Sequence, residues 1–398
     1  MRFIIFIIIT LSTISCSKKN PLEQVLRRNK ELNRIAQNPE YEVQISYTRV
    51  NLRDTSFSTY RFKVDDEIYF YPASTVKMPV ALLAVEKLNE IKKSSPKISL
   101  DTDVLVGKAR PIQTEDTVDS TTASGKPNIR RYIEKLFCVS DNNSYNRLYE
   151  FLGQDEINSR LRSKGFFDKS VINHRLSVSG YTFEDHRLTN PVTFIDDDQW
   201  IYTSNPVYSE KLWKHQAKGA VKGVAYINSS GELVNKPFDF TEKNFYTIHD
   251  MEQTIMRIIF PEKFSPEEGF NITEDDRYFI KSAMSALPKD YFFYRDDTTY
   301  YDGFVKFFIY GDTKNDIPPH LKIYNKVGSA YGYLTDCAYI EDTKNNIAFF
   351  LTATIHVNKN KTYNDGLYEY KQTGLPFLAE LGRQIYQYEL KSSKNVKN

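Results

Sequence analysis

The chain has 398 residues, of which 40% are hydrophobic and 26% charged, with a formal net charge of +2. This is enough to bury a full core, and without a long basic block it offers no evident nucleic-acid partner. The scattered histidines and three cysteines have no metal-ligand spacing and no glycine-rich phosphate loop occurs, so neither metal nor cofactor is expected.

Met1-Arg2 precedes the apolar run Phe3 to Ile9 and the small-residue stretch Thr10 to Cys16. The run is too short to span a bilayer, and its order of charge, apolar core and small residues is that of a secretory signal. Ser15-Cys16 resembles a bacterial lipoprotein cleavage site, which implies a lipid on Cys16 and a membrane as partner. The expectation is a signal over residues 1–15, a tether over 16–22, and a cell-envelope location on the periplasmic side or the outer membrane. A helix from Pro21 to Ala36 and strands over Tyr41 to Val50 and Ser58 to Tyr71 follow.

Ser-x-x-Lys occurs at Ser15, Ser74 and Ser94. The first lies in the leader, and Ser94-Ser95-Pro96-Lys97 has a proline that opposes a helix. Only Ser74 opens a long apolar segment, Val76 to Val85, so Ser74 and Lys77 share one face of a first helical turn. Burial can hold an amine neutral, and a neutral amine can take the proton of a serine hydroxyl. A helix start also offers unpaired N–H groups to a forming oxyanion. A capping serine beside a snorkelling lysine is the plain structural alternative.

Ser140-Asp141-Asn142 reads as a corner between helices over Ile129 to Phe137 and Ser144 to Leu152, where it presents polar side chains. An insertion is expected at about residues 193–275, with a hairpin from Ala220 to Val234 and a helix from Asp250 to Ile259 stopped by Pro261. Its expected role is surface decoration. Lys326-Val327-Gly328-Ser329 ends a strand-like run from Leu321, with a glycine that admits a close ligand and a fixed positive charge. A hairpin, Thr335 to Glu341 and Ile347 to Val357, and a helix near Leu375 to Leu390 close the chain, with a disordered tail over 391–398. Cys138 and Cys337 are expected as buried free thiols.

Together, Ser74-x-x-Lys77, Ser140-Asp141-Asn142 and Lys326-x-Gly328 resemble the class A serine β-lactamases and their penicillin-binding relatives. The resemblance spans roughly residues 20 to 390 and implies an α/β (α+β) fold: a five-stranded antiparallel sheet flanked by helices, with a mainly helical subdomain. One catalytic domain over 23–390 is implied, with the sheet formed by 23–73 and 300–390 and the helical part by 74–299. The resemblance further implies that Ser74 forms an acyl-enzyme, with Lys77 as base and Ser140 as relay to the departing nitrogen. Asn142 would position Lys77 and the substrate amide, Lys326 would meet a substrate carboxylate, and the N–H groups of Ser74 and Ser329 would form the oxyanion hole beside Gly328. The substrate class would be a β-lactam or a cell-wall peptide, and the protein would be a monomer.

The chain departs from that pattern in three ways. Val327 has no hydroxyl where the family carries threonine or serine, the stretch from Ser140 to Lys326 is unusually long, and no Glu-x-x-Leu-Asn motif is present. The nearest match is Thr182 to Pro191, where His186 falls in the glutamate's place if Asn190 takes the asparagine's. The expected water-activating group is one of Glu184, Asp185 and His186, with Glu184 preferred for its chemistry. A D-alanyl-D-alanine carboxypeptidase or other peptidase or esterase on this scaffold is the alternative enzyme, and a catalytically silent envelope-binding lipoprotein the alternative of another class.

Overall fold

The structure, a computed structural model, describes residues 20–395; the expected signal, Cys16 and most of the expected tether lie outside the described residues. The chain enters through α1 (Pro21–Arg28) and α2 (Lys30–Gln37). The single helix expected there is broken at Asn29, whose Oδ1 accepts from the N–H groups of Glu31 and Leu32 and so caps a second helix instead of continuing the first. Next come β1 (Gln44–Asn51) and β2 (Ser56–Phe62). The second strand is shorter than expected: Lys63 turns left-handed at φ 52°, and Tyr69, Phe70 and Tyr71 leave the sheet edge to enter the core.

Three helices then matter for the site: α3 (Lys77–Lys92), α4 (Ile129–Cys138) and α5 (Asn142–Leu152). Residues Lys77 to Glu86 of α3 are all buried, as its unbroken apolar run requires. Helix α6 (Ile248–Ile259) lies across the sheet, its start capped by Thr247. The chain returns as β3 (Leu321–Ala330), β4 (Tyr333–Asp342) and β5 (Ile347–His356), then α7 (Leu375–Asn395). Helix α7 continues through residues 391–395, which the sequence reads as disordered tail. The apolar positions Phe377, Leu378, Leu381 and Ile385 seat it on the sheet, and the helix propagates from there.

The sheet order is β3-β4-β5-β1-β2, antiparallel throughout. Every residue of β5 is buried, because helices cover both faces. One core packs α1, α2 and α7 against one face, and a larger core joins the other face to α3 through α6. Ser74 and Ser140 lie against β3, the first beside Gly328 and the second bonded to Lys326.

The insertion is tied to this body. Ala225–Ile227 and Leu233–Val234 pair as the expected hairpin, and Ala225 and Tyr226 also pair in parallel with Thr362 and Tyr363. The thiols of Cys138 and Cys337 are free and buried, and burial pushes the first up to about 12.

Candidate active site

Ser74 sits in a single tight turn, Ala73–Val76, that feeds directly into α3. The Oγ and N–H of Thr75 both reach the carbonyl of Pro72, which closes that turn and leaves Ser74 at the mouth of the helix. Ala73 is left-handed at φ 47°, a conformation an alanine holds only where its surroundings impose it. The Ser74 hydroxyl hydrogen-bonds no described residue and faces a cavity of about 460 Å³.

Lys77 has no exposed surface. Its Nζ donates to the carbonyl of Ser140 at 2.5 Å and to Asn142 Oδ1 at 2.7 Å, and lies 3.2 Å from Ser140 Oγ. Burial drives its pKa from 10.5 down to about 7, against a smaller opposing pull from the charge of Asp141. The corner that holds these acceptors is built locally. Helix α4 ends at Cys138, Ser140 turns left-handed at φ 59°, and Asp141 caps α5 by accepting from Ser144 N–H at 2.7 Å.

Lys326 reaches the same corner from β3, donating to Ser140 Oγ and to the carbonyl of Val327, both at 2.8 Å. Burial lowers its pKa well below the ordinary lysine value, and the charge of Lys77 lowers it further. Behind it, Asn325 Nδ2 donates to Asp336 at 2.8 Å and Lys306 donates to Asn325 Oδ1 at 2.8 Å, so a buried polar network braces the strand.

Gly328 explains the fit of strand to turn. A side chain there would put Cβ 2.4 Å from the carbonyl of Pro72 and 3.1 Å from the nitrogen of Ser74. Only glycine lets β3 close on the nucleophile's turn, which brings the backbone of Ser329 beside that of Ser74. Val327 turns the other way, into the core under α7.

The structure therefore brings Ser74, Lys77, Ser140, Asn142, Lys326, Gly328 and Ser329 together, and it leaves Glu184 out. The Glu184 carboxylate accepts from Arg187 at 2.9 and 3.0 Å and from Tyr208 at 2.9 Å; Tyr208 and Arg187 hold it below the usual carboxylate range. It does not line the cavity, so the preference for it is corrected: two strong partners on the outer side of the segment turn it outward. Asp185 folds back on Thr182, accepting from its N–H at 2.8 Å and its hydroxyl at 2.6 Å. His186 alone of the three lines the cavity. Its Nδ1 accepts from Arg175 N–H at 3.1 Å, which leaves the proton on Nε2 and makes the ring a donor. Burial keeps it neutral, with the neighbouring His174 acting in the same direction.

Sequence reasoning did not single out His174, Arg175, Ser177 or Lys243, which also line the cavity. His174 Nδ1 donates to the carbonyl of Arg175 at 2.6 Å, so Nε2 carries a lone pair that is buried and unpartnered. Arg175 is spent on Glu150 at 2.7 Å and on the carbonyls of Asp185 and Leu188. Ser177 receives Asn142 Nδ2 at 2.9 Å. None of these belongs to a motif, and no local pattern marks them. Among the described residues no group of His, Cys, Asp or Glu gathers as a metal site.

A family model described as "Beta-lactamase enzyme family" matches residues 27–268. No curated protein sequence matches the chain. Among solved structures, PBP-A aligns with a TM-score of 0.50 at 15% identity, over 93% of this chain and 96% of its own. A PBP-A mutant in an acyl-enzyme complex with penicillin G aligns with a TM-score of 0.51 at 15% identity, over 92% and 95%. A β-lactamase from Sphaerobacter thermophilus aligns at 0.49 and 12%, over 92% and 96%. The PBP-A alignments show that this chain shares their fold.

Proposed function

The chain belongs to the beta-lactamase enzyme family, and from that premise we propose that it is a serine hydrolase that works through an acyl-enzyme on Ser74, with a β-lactam or a related amide as substrate. The observation that carries this reading is the convergence of Lys77 and Lys326 on Ser140 Oγ, at 3.2 and 2.8 Å, beside an unpartnered Ser74 hydroxyl. In its neutral form Lys77 takes the Ser74 proton as Oγ attacks the carbonyl carbon. The carbonyl electrons move to oxygen, where the N–H groups of Ser74 and Ser329 receive them; such donors supply roughly 3–4 kcal/mol of transition-state stabilisation. The intermediate collapses with cleavage of the C–N bond; Ser140 hands its proton to the departing nitrogen and takes one back from the Lys77 ammonium 3.2 Å away, while Lys326 holds the Ser140 oxygen in place.

A second reading follows from the lining of the cavity, which contains no Asp or Glu side chain. Without a carboxylate to activate water, a β-lactam acyl-enzyme persists, as in a penicillin-binding carboxypeptidase of the D-alanyl-D-alanine type. A leucine-to-glutamate mutant of PBP-A, of the same fold, has been captured as an acyl-enzyme complex with penicillin G. The leader supports export and a lipid on Cys16, which would hold the domain at the cell envelope.

Intact-protein mass spectrometry after mixing with penicillin G separates the readings. A transient adduct with ring-opened product means a lactamase, and a lasting adduct means a peptidase-like enzyme. No adduct, or an adduct that survives Ser74→Ala, removes the acyl-enzyme from the account.

A further inference from the structure

The Ser74 cavity contains a cation without a partner. Lys243, from the inserted segment, lines it half-buried, and its ammonium makes no hydrogen bond or ion pair with any described residue. The other cation of the lining, Arg175, is consumed by Glu150 and three acceptors on residues 185–190. Lys77 and Lys326 are likewise consumed at Ser140. The neighbouring acid, Glu242, is turned to Lys214 at 2.7 Å.

The position of Lys243 is built. On one side of it, Phe245 and Val171 exchange backbone hydrogen bonds of 2.9 and 2.8 Å. Asn244 Oδ1 accepts from the N–H groups of Asn173 at 2.8 Å and His174 at 3.2 Å, and its carbonyl receives Tyr69 Oη at 3.1 Å. The insertion is thereby stitched to the wall that carries His174 and His186. The Nε2–H of His186 adds a second donor to that wall, and Tyr71, Tyr181, Tyr331 and Tyr368 lower the local dielectric around it.

A partly desolvated cation in a pocket free of carboxylates calls for an anion from the substrate. Ser140 and Lys326, which serve the departing nitrogen, do not line this cavity, so the cavity receives the part of the substrate that stays on Ser74. We propose that Lys243 binds a carboxylate on the acyl portion of the substrate, making the enzyme selective for amides whose acyl side bears a negative charge. This rests on the acyl-enzyme reading above. It makes Lys243 a specificity residue: the ion pair is a spectator, and no bond to Lys243 forms or breaks.

Two penicillins that differ by one carboxylate on the acyl side chain, carbenicillin and penicillin G, test this. The readout is the ratio of their second-order acylation rates on Ser74, by quench and mass spectrometry. A ratio does not depend on how much of a variant is folded. A charged hydrogen bond of this kind corresponds to about tenfold, so wild type should acylate about tenfold faster with carbenicillin than with penicillin G. In Lys243→Met the ratio should fall to about one, while Lys243→Arg should retain most of it, and added salt should lower it in wild type and Lys243→Arg but not in Lys243→Met. An unchanged ratio in Lys243→Met, with penicillin G still forming its adduct, overturns the role of Lys243 and leaves the acyl-enzyme standing. No adduct with either penicillin on wild type overturns both.

Discussion

Lys326 Nζ donates to Ser140 Oγ at 2.8 Å. Lys77 approaches the same oxygen at 3.2 Å, so two buried amines share one hydroxyl. Two ammonium ions so placed repel strongly, and the protein relieves this by keeping one of them neutral. Under the proposed mechanism, this neutral amine would stand where other serine hydrolases use a histidine.

The pH dependence follows from that relationship. Lys77 has its pKa lowered from 10.5 to about 7, so it is a free base above pH 7 and protonated below. Acylation by penicillin G should therefore rise about tenfold per pH unit at acid pH and level off above about 7. The same shift affects stability. Between about pH 7 and 10.5 the unfolded chain binds a proton that the folded site refuses, so this lysine makes the fold more stable as pH rises through that window. Rates measured across the neutral range that show no rise would remove Lys77 as the base.

Much of this site was legible because its parts are local. Ser74 and Lys77 lie within one turn, Ser140 to Asn142 form one corner, and Lys326 to Ser329 lie near the end of one strand, so each part is legible locally, while their meeting in one site was implied by the resemblance to class A β-lactamases. The strands and the closing hairpin were legible in the same local way, and their assembly into a five-stranded sheet was implied by the resemblance. What was not legible depends on distant partners. The direction of Glu184 is set by Tyr208, and the exposure of Lys243 to the cavity by pairing between residues 171 and 245, and neither relation leaves a pattern in the nearby sequence. The break at Asn29 was missed because an asparagine can cap a helix as readily as sit within one.

Gly328→Ala tests the closure of β3 on the Ser74 turn. The new Cβ would sit 2.4 Å from a backbone oxygen, and backbone cannot swing aside as a side chain can. The strand must shift, at a cost of about 1–3 kcal/mol of stability. Because the shift separates the N–H groups of Ser74 and Ser329, acylation should fall by about 100-fold or more. Urea denaturation and acylation kinetics on one preparation read both effects, and near-wild-type acylation would mean that Ser329 takes no part in the oxyanion hole.

Glu184→Gln should leave deacylation unchanged. Its carboxylate is held by Arg187 and Tyr208 outside the cavity, so it has no path to a water near Ser74. The decay of a pre-formed penicillin adduct, followed by mass, compares variant with wild type. A slower decay in the variant would return Glu184 to the mechanism and require this segment to move during turnover.

Arg175→Ala tests what holds the wall that carries His186. The guanidinium is fully buried and its donors reach Glu150 at 2.7 Å, the Asp185 carbonyl at 3.1 Å, the Leu188 carbonyl at 2.8 Å and Asn190 Oδ1 at 3.3 Å. Removing it leaves the buried Glu150 with Arg147 as its one remaining ion-pair partner among the described residues, and takes a donor from the Asp185 carbonyl, the Leu188 carbonyl and Asn190 Oδ1, of which the Leu188 carbonyl keeps Gln113 Nε2 at 3.2 Å. Breaking a buried pair from one side costs about 3–5 kcal/mol, which is a large share of a domain's stability. Arg175→Lys keeps the charge on Glu150 satisfied but cannot span four acceptors from one point, so it should recover stability without recovering the segment. The expected pattern is a large loss of stability in urea for alanine, a smaller one for lysine, and rapid proteolysis within residues 184–190 for both. Equal protection of that segment in wild type and the lysine variant would show that charge alone, and not the planar fork of arginine, holds this wall beside Ser74.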